Sequence, residues 1–171
     1  MNAQPDRLAA LEARLQTLED TQEIAELIAG YGPLVDSGSA DEVAAQWTED
    51  GVYDVDEITM VGRDQVRAMV HSSNHQGWIA GGCAHFLGPV KVTVAGDEAV
   101  AVCHSLMIVN RGGSFEESPD FVVRRATAHH FELVRGTDGW LVARRTSRVL
   151  DGRAEAPELL RLGALGRPAS R

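Results

Sequence analysis

The side chains best suited to moving protons in this chain are its histidines, and two of them sit where the local sequence gives them an opportunity. His85 follows Gly81-Gly82 and enters a run rich in β-branched residues, Val90 to Val94. Such a run reads as a strand entered from a flexible loop. A histidine at a strand entry can face a cavity mouth, where its near-neutral pKa suits a general base. The same position also suits a histidine that is merely satisfied locally. His104 lies within Ala99 to Asn110, where Val100, Val102, Leu106 and Ile108 share its face. It reads either as a second pocket histidine, able to protonate a leaving group, or as a core residue. Upstream, Tyr31 and Asp36 bracket Gly32-Pro33. Five residues apart, they are offset by about 140° on a regular helix, so a kink is expected if both are to reach one cavity. His71 and His75 are spaced as in helical metal pairs but lack the glutamate of that pattern, and they read as the exposed end of a helix. The acidic run Asp54-Val55-Asp56-Glu57 reads as a solvated turn rather than a site for a hard cation.

The elements that must position these groups follow from periodicity. Residues 5–30 carry Leu8, Leu11, Leu15 and Leu18, then Ile24, Leu27 and Ile28, which predicts a long helix with this stripe as its buried face. It is expected to become irregular over Tyr31 to Asp36. Ser39 with Glu42 forms a capping box opening a short helix with Val43, Ala44 and Trp47 inward. Val52–Val55 and Ile58–Val61 form a hairpin, and Gly62-Arg63-Asp64 opens another helix buried through Val66, Met69 and Val70. Gly88-Pro89 interrupts the His85 strand, so its inward face is expected to change parity there. Long strands follow over Ala99–Asn110, Phe121–Val134 and Trp140–Leu150, with a loop from Arg111 through Ser114 to Pro119. On the last strand Trp140, Val142, Arg144, Thr146 and Arg148 alternate onto one face. Helices followed by an antiparallel meander indicate the α+β class. Residues 1–150 make one domain and 151–171 a tail. Leu159, Leu160, Leu162 and Leu165 predict a short helix from Pro157, acting as a lid over the pocket or a clasp on a neighbouring subunit.

Composition narrows the function. The formal charge of −9 argues against binding a nucleic-acid backbone. No apolar run approaches the ~18 residues of a membrane span, and MNAQPDRLAALEARL is not a secretory signal. Cys83 and Cys103 have no zinc spacing and read as reduced thiols in a cytoplasmic protein. No metal, flavin or nucleotide motif is present, so no cofactor is expected.

Several pieces together resemble the SnoaL-like branch of the nuclear transport factor 2-like superfamily. They are the helix ending Tyr31…Asp36, then Ala44-Ala45-Gln46-Trp47-Thr48-Glu49-Asp50-Gly51-Val52-Tyr53, then Gly62-Arg63-Asp64, Ala84-His85-Phe86-Leu87, and Gly139-Trp140-Leu141-Val142-Ala143-Arg144-Arg145. The resemblance implies a cone-shaped barrel, a curved and mostly antiparallel sheet wrapped by N-terminal helices around an apolar pocket. Within that superfamily, scytalone dehydratase, hexachlorocyclohexane dehydrochlorinase and bile acid 7α-dehydratase pair an aspartate and a histidine at positions that Asp36 and His85 match. The resemblance further implies Tyr31 as a polarising group and His104 as a second pocket histidine. Arg148, Trp47, Trp78, Phe86 and Tyr53 are the expected substrate-binding residues. The implied activity is that of a cofactor-independent dehydratase or related lyase acting on a small hydrophobic cyclic substrate, polyketide- or steroid-like. A ketosteroid isomerase-like isomerase or a cyclase, and a non-catalytic small-molecule-binding protein, are the alternatives. Homo-oligomers, trimers or dimers, are implied as well.

Overall fold

The computed structural model describes residues 3–113, 116 and 118–169, so Ser114, Phe115 and Glu117 of the expected loop and the last two residues of the tail lie outside the described residues. Helix α1 runs Ala3–Asp36 and α2 Ala40–Ala45; strands β1 (Trp47–Val55) and β2 (Ile58–Val61) form the hairpin; α3 (Arg63–His71) and α4 (Ser73–Gly81) follow. Then come β3 (Cys83–Leu87), β4 (Lys91–Ala95), β5 (Glu98–Asn110), β6 (Phe121–Arg135), β7 (Trp140–Val149) and α5 (Glu155–Ala164). The strands form one sheet in the order β2-β1-β7-β6-β5-β3, with β4 also on β5. All pairings are antiparallel except β1 with β7. This is the α+β arrangement expected, with α1 to α4 against the concave face.

Three departures from simple alternation decide which side chains face inward. Between β3 and β4 the chain advances from Leu87 to Lys91 while β5 advances only from Ser105 to Val102. The extra residue falls at Gly88-Pro89-Val90 and switches the inward set from Cys83, His85 and Leu87 to Val92 and Val94, as the proline predicts. A second bulge puts Arg124 of β6 opposite no partner between Met107 and Ile108. A third inserts Ala143 in β7, between the pairs Leu133–Val142 and Glu132–Arg144. Beyond it Arg145 and Ser147 point inward, whereas Arg144, Thr146 and Arg148 point to the back. Unbroken alternation had placed Arg148 on the same face as Val142, and the bulge overturns that.

Helix α1 runs unbroken through Pro33 to Asp36, without the expected irregularity. Ile24, Ile28, Tyr31 and Val35 form its buried face. Leu8, Leu11, Leu15 and Leu18 do not belong to that face and are 50–68% exposed. Ser39 precedes α2 but makes no capping bond; its hydroxyl meets Ser37 at 2.8 Å instead. Helix α5 forms as the leucine spacing predicts, starting at Glu155. It packs across β5, β6 and β7 on the back of the sheet, with Ala156 and Leu159 buried. A Cβ at Gly163 would press into Val102, so glycine permits this close seating. The lid expected over the pocket is therefore not formed by α5, which buries Leu159 on the opposite face of the sheet.

Candidate active site

The concave face encloses a cavity of about 260 Å³. At its edge β3 passes so close to the end of α1 that a Cβ at Gly32 would collide with the His85 carbonyl oxygen. Glycine is needed there for packing, and its effect is to bring Asp36 onto His85. One carboxylate oxygen accepts from His85 Nδ1 at 2.6 Å and the other from the His85 backbone N–H at 2.6 Å. The Cys83 thiol adds a 3.5 Å contact to the first oxygen. Burial pushes the Asp36 carboxyl up, but the hydrogen bonds from His85 and Cys83 outweigh it, and its pKa falls below the ordinary 3.8. Burial and the neighbouring carboxylate raise the Cys83 thiol to about 11, so it stays protonated. The helical offset between Tyr31 and Asp36 turns out to be useful without a kink. Tyr31 lines the cavity, while Asp36 grips the far edge of the His85 ring from behind.

With Nδ1–H committed to Asp36, Nε2 of His85 carries the lone pair. His75 stacks on this ring at 5.9 Å and donates from Nε2 to the Val35 carbonyl at 2.9 Å. The expectation of an exposed His75 is thus corrected. Ser72 caps a new helix, α4, by accepting from the His75 backbone N–H, and this turns the ring inward. His71 is exposed as read.

Elsewhere on the cavity wall lies a buried polar group that the sequence reading did not assign. Arg145 is 2% exposed and its guanidinium sits 4.1 Å from the Tyr31 ring, 4.7 Å from Tyr53 and 5.0 Å from Phe131. Cation–π contact of this kind partly offsets desolvation. Arg145 also donates to His129 Nδ1 at 3.2 Å. Since arginine can only donate, Nδ1 is the acceptor, and Nε2–H is left to Ser105 at 2.6 Å. Ser147 donates to the same Nδ1 at 2.7 Å. Burial and the charges of Arg145 and Arg125 hold His129 well below its ordinary pKa, hence neutral. Arg145 forms no ion pair with any described carboxylate, and its Nη1 has no hydrogen-bond partner among the described residues. Burial, with the proximity of Tyr53 outweighing the opposite pull of Arg145, raises the Tyr31 phenol far above its usual range, so it remains a donor.

Of the other expected site residues, one lines the cavity and the rest do not. Tyr53 lines the cavity, as expected. His104 does not: it is exposed on the back of β5 beside Phe86, Leu106 and Leu150. Both faces of β5 are apolar, because α5 covers Val100 and Val102, so the company of valines did not identify the inward face. Phe86 alternates outward from His85 and is 61% exposed. Trp47 is core, 1% exposed and 5.4 Å from Tyr53, supporting that ring from behind. Trp78 lies outside the cavity wall, under Arg124 at 5.2 Å. Arg148 makes two 2.8 Å bonds to Asp54 on the back face. The acidic turn is likewise not simply solvated, since Asp56 pairs with Arg125 at 2.5 Å.

Asp36, Cys83 and His85 also offer three potential ligand atoms within 4.8 Å of one another. The direct 2.6 Å contact between Nδ1 and Oδ1 leaves no space for an ion between them, since each bond to such an ion would need about 2.0–2.2 Å. The arrangement fits a hydrogen-bonded dyad.

Comparison with known proteins places this architecture. Residues 16–146 match the SnoaL-like domain. An NTF2-like protein with a cystatin-like fold from Novosphingobium aromaticivorans is 44% identical, with a TM-score of 0.84 over 90% of this chain and 96% of that one. A putative aromatic ring hydroxylase from the same organism is 25% identical, with a TM-score of 0.60 over 78% and 90% of the two chains. ActVI-ORFA from Streptomyces coelicolor shares the fold at 20% identity, TM-score 0.63, over 76% and 97%. Among curated protein sequences none matches significantly. Among the described residues no helix is long and apolar enough to cross a membrane. The chain belongs to the SnoaL-like domain family, with its nuclear transport factor 2-like, cystatin-like fold.

Proposed function

We propose that the protein is a cofactor-independent lyase, a dehydratase of a small cyclic hydroxy-carbonyl compound. The observation that carries this reading is the Asp36–His85 hydrogen bond at the edge of an apolar cavity. Asp36 fixes the tautomer and stabilises the imidazolium that forms, and Nε2 takes a proton from the carbon next to the substrate carbonyl. The electron pair moves onto the carbonyl oxygen, where Arg145 and the Tyr31 hydroxyl supply a cation and a donor. When the enolate collapses, the β C–O bond breaks, and the departing hydroxide takes the proton back from His85 and leaves as water. With His104 on the other face, this return by His85 replaces a second histidine as the acid. The cavity, about 260 Å³, lies just below the usual span of ligand pockets, roughly 300–1,000 Å³, which favours one or two fused rings over four.

An isomerase is the second reading, favoured by the same buried Arg145. An enolate held there can be reprotonated at another carbon without losing a leaving group. The two are separated by incubating the protein with cyclic β-hydroxy ketones in D2O. Loss of water with an enone absorbance supports the lyase; deuterium incorporated into a substrate that keeps its hydroxyl supports the isomerase. Neither outcome with any one- or two-ring ketone, alongside tight binding of the same compounds, leaves a binding protein. Both reactions should slow by orders of magnitude in His85→Ala.

A further inference from the structure

Every residue from Asp6 to Glu19 is exposed, and only Ala13, Gln16 and Thr17, on the side away from the leucines, come near the rest of the domain, along a cleft shared with Val94 and Asp97. Its four leucines are not an extension of the buried stripe. At about 100° per residue they lie roughly 150° around the helix from Ile24, Ile28, Tyr31 and Val35. Their spacing of three, four and three is that of a coiled-coil seam, with Leu8 and Leu15 at a and Leu11 and Leu18 at d. The flanking positions then follow. Arg7 and Arg14 fall at g, Glu12 and Glu19 at e.

We infer that this segment pairs with the same segment of a second copy of the chain, in parallel and in register. The charges choose both the partner and the direction. In a parallel pair each g residue meets the e residue five positions on in the other helix, matching Arg7 with Glu12 and Arg14 with Glu19 from both sides. An antiparallel pair would oppose arginine to arginine and glutamate to glutamate. Leucines 50–68% exposed gain little from burial in the single chain, and a helix segment of this length is marginal alone in water. This pairing is independent of the catalytic reading.

The test uses the full chain with one new cysteine on the seam, Leu15→Cys, under mild oxidation. In a parallel pair this position meets itself, and a disulfide-linked dimer is expected. Ala13→Cys, on the side of the helix away from the seam and toward Val94 and Asp97, and the unaltered chain with Cys83 and Cys103 are expected to stay monomeric on a non-reducing gel. Adding Arg7→Glu and Arg14→Glu to Leu15→Cys should abolish most of the cross-link. Mixing that chain with Leu15→Cys carrying Glu12→Arg and Glu19→Arg should restore it as a mixed dimer. Circular dichroism confirms that each variant is folded. Failure of Leu15→Cys to cross-link, equal cross-linking through Ala13→Cys, or indifference to the charge reversals would each overturn the pairing.

Discussion

Arg145 and Arg148 are three residues apart on one strand, yet they live in different worlds. Arg148 faces the back of the sheet, half-buried, with Asp54 answering its charge through two hydrogen bonds. Arg145 faces the cavity, almost fully buried, with aromatic rings and a neutral histidine around it but no carboxylate. A cation taken out of water without an anion is costly and is normally avoided. On the back face, arginine fastens β7 to β1. On the cavity face its charge has no carboxylate to answer it among the described residues. His85 and His104 likewise fall on opposite faces, His85 lining the cavity and His104 exposed on the back.

Substitutions on the two faces put this contrast at risk. The largest effect is expected at His85. His85→Ala should lower turnover by about 10²–10⁴-fold while the protein stays folded, whereas His104→Ala should leave turnover unchanged. Equal losses would erase the distinction between the faces. Next, Arg145→Met should cost about 10²–10³-fold in turnover and leave stability equal or higher, because it removes an unpaired buried charge. Arg148→Met should do the reverse, costing up to about 1 kcal/mol after solvent screening and nothing in turnover. Urea melts with parallel kinetics decide between them.

Glycine substitutions sharpen the comparison further. Gly32→Ala and Gly163→Ala each force a close contact, against His85 and Val102 respectively, and each should destabilise by about 1–3 kcal/mol. Only Gly32→Ala should also lower turnover per folded molecule, since it pushes β3 away from Asp36. The smallest effect concerns acid. The folded Asp36 carboxyl lies below its ordinary 3.8, so its stabilising contribution is complete above that value and is lost as the pH falls through the lower folded value. Asp36→Asn should therefore lower stability at neutral pH and flatten the acid limb of a stability–pH profile, the two proteins converging in acid; thermal melts between pH 2 and pH 7, taken as an approximate window around that limb, check this.

Much of the fold was legible because it rests on local signals. The hairpin at Val52–Val61, the switch at Gly88-Pro89 and the helix under Leu159 all follow from turn residues and periodicity. The dyad was legible through resemblance, as the match at Tyr31…Asp36 and Ala84-His85. What escaped depended on long-range partners. Alternation says which residues share a face, never which face is inward, and α5 made the back of β5 as apolar as its front. The bulge at Ala143 carries no proline or glycine to announce it. The adjacent pair Arg144-Arg145 was the available hint, since alternation must send one of two neighbours inward. His129 shared a face with Thr127, Phe131 and Leu133, and that face proved to be the cavity side.

The Ala143 bulge also divides shape from chemistry. Removing that one residue would let β7 zip regularly onto β6, and Arg145, Ser147 and Arg148 would each keep their present side of the sheet. A bulge bends the strand that carries it. Without it the wall would straighten, and the hollow that holds Arg145 beneath Tyr31 would open outward. The cavity-lining side chains would survive intact on a flatter surface. In this fold, one extra alanine with no functional group of its own is the crease that turns a sheet bearing the right side chains into a vessel.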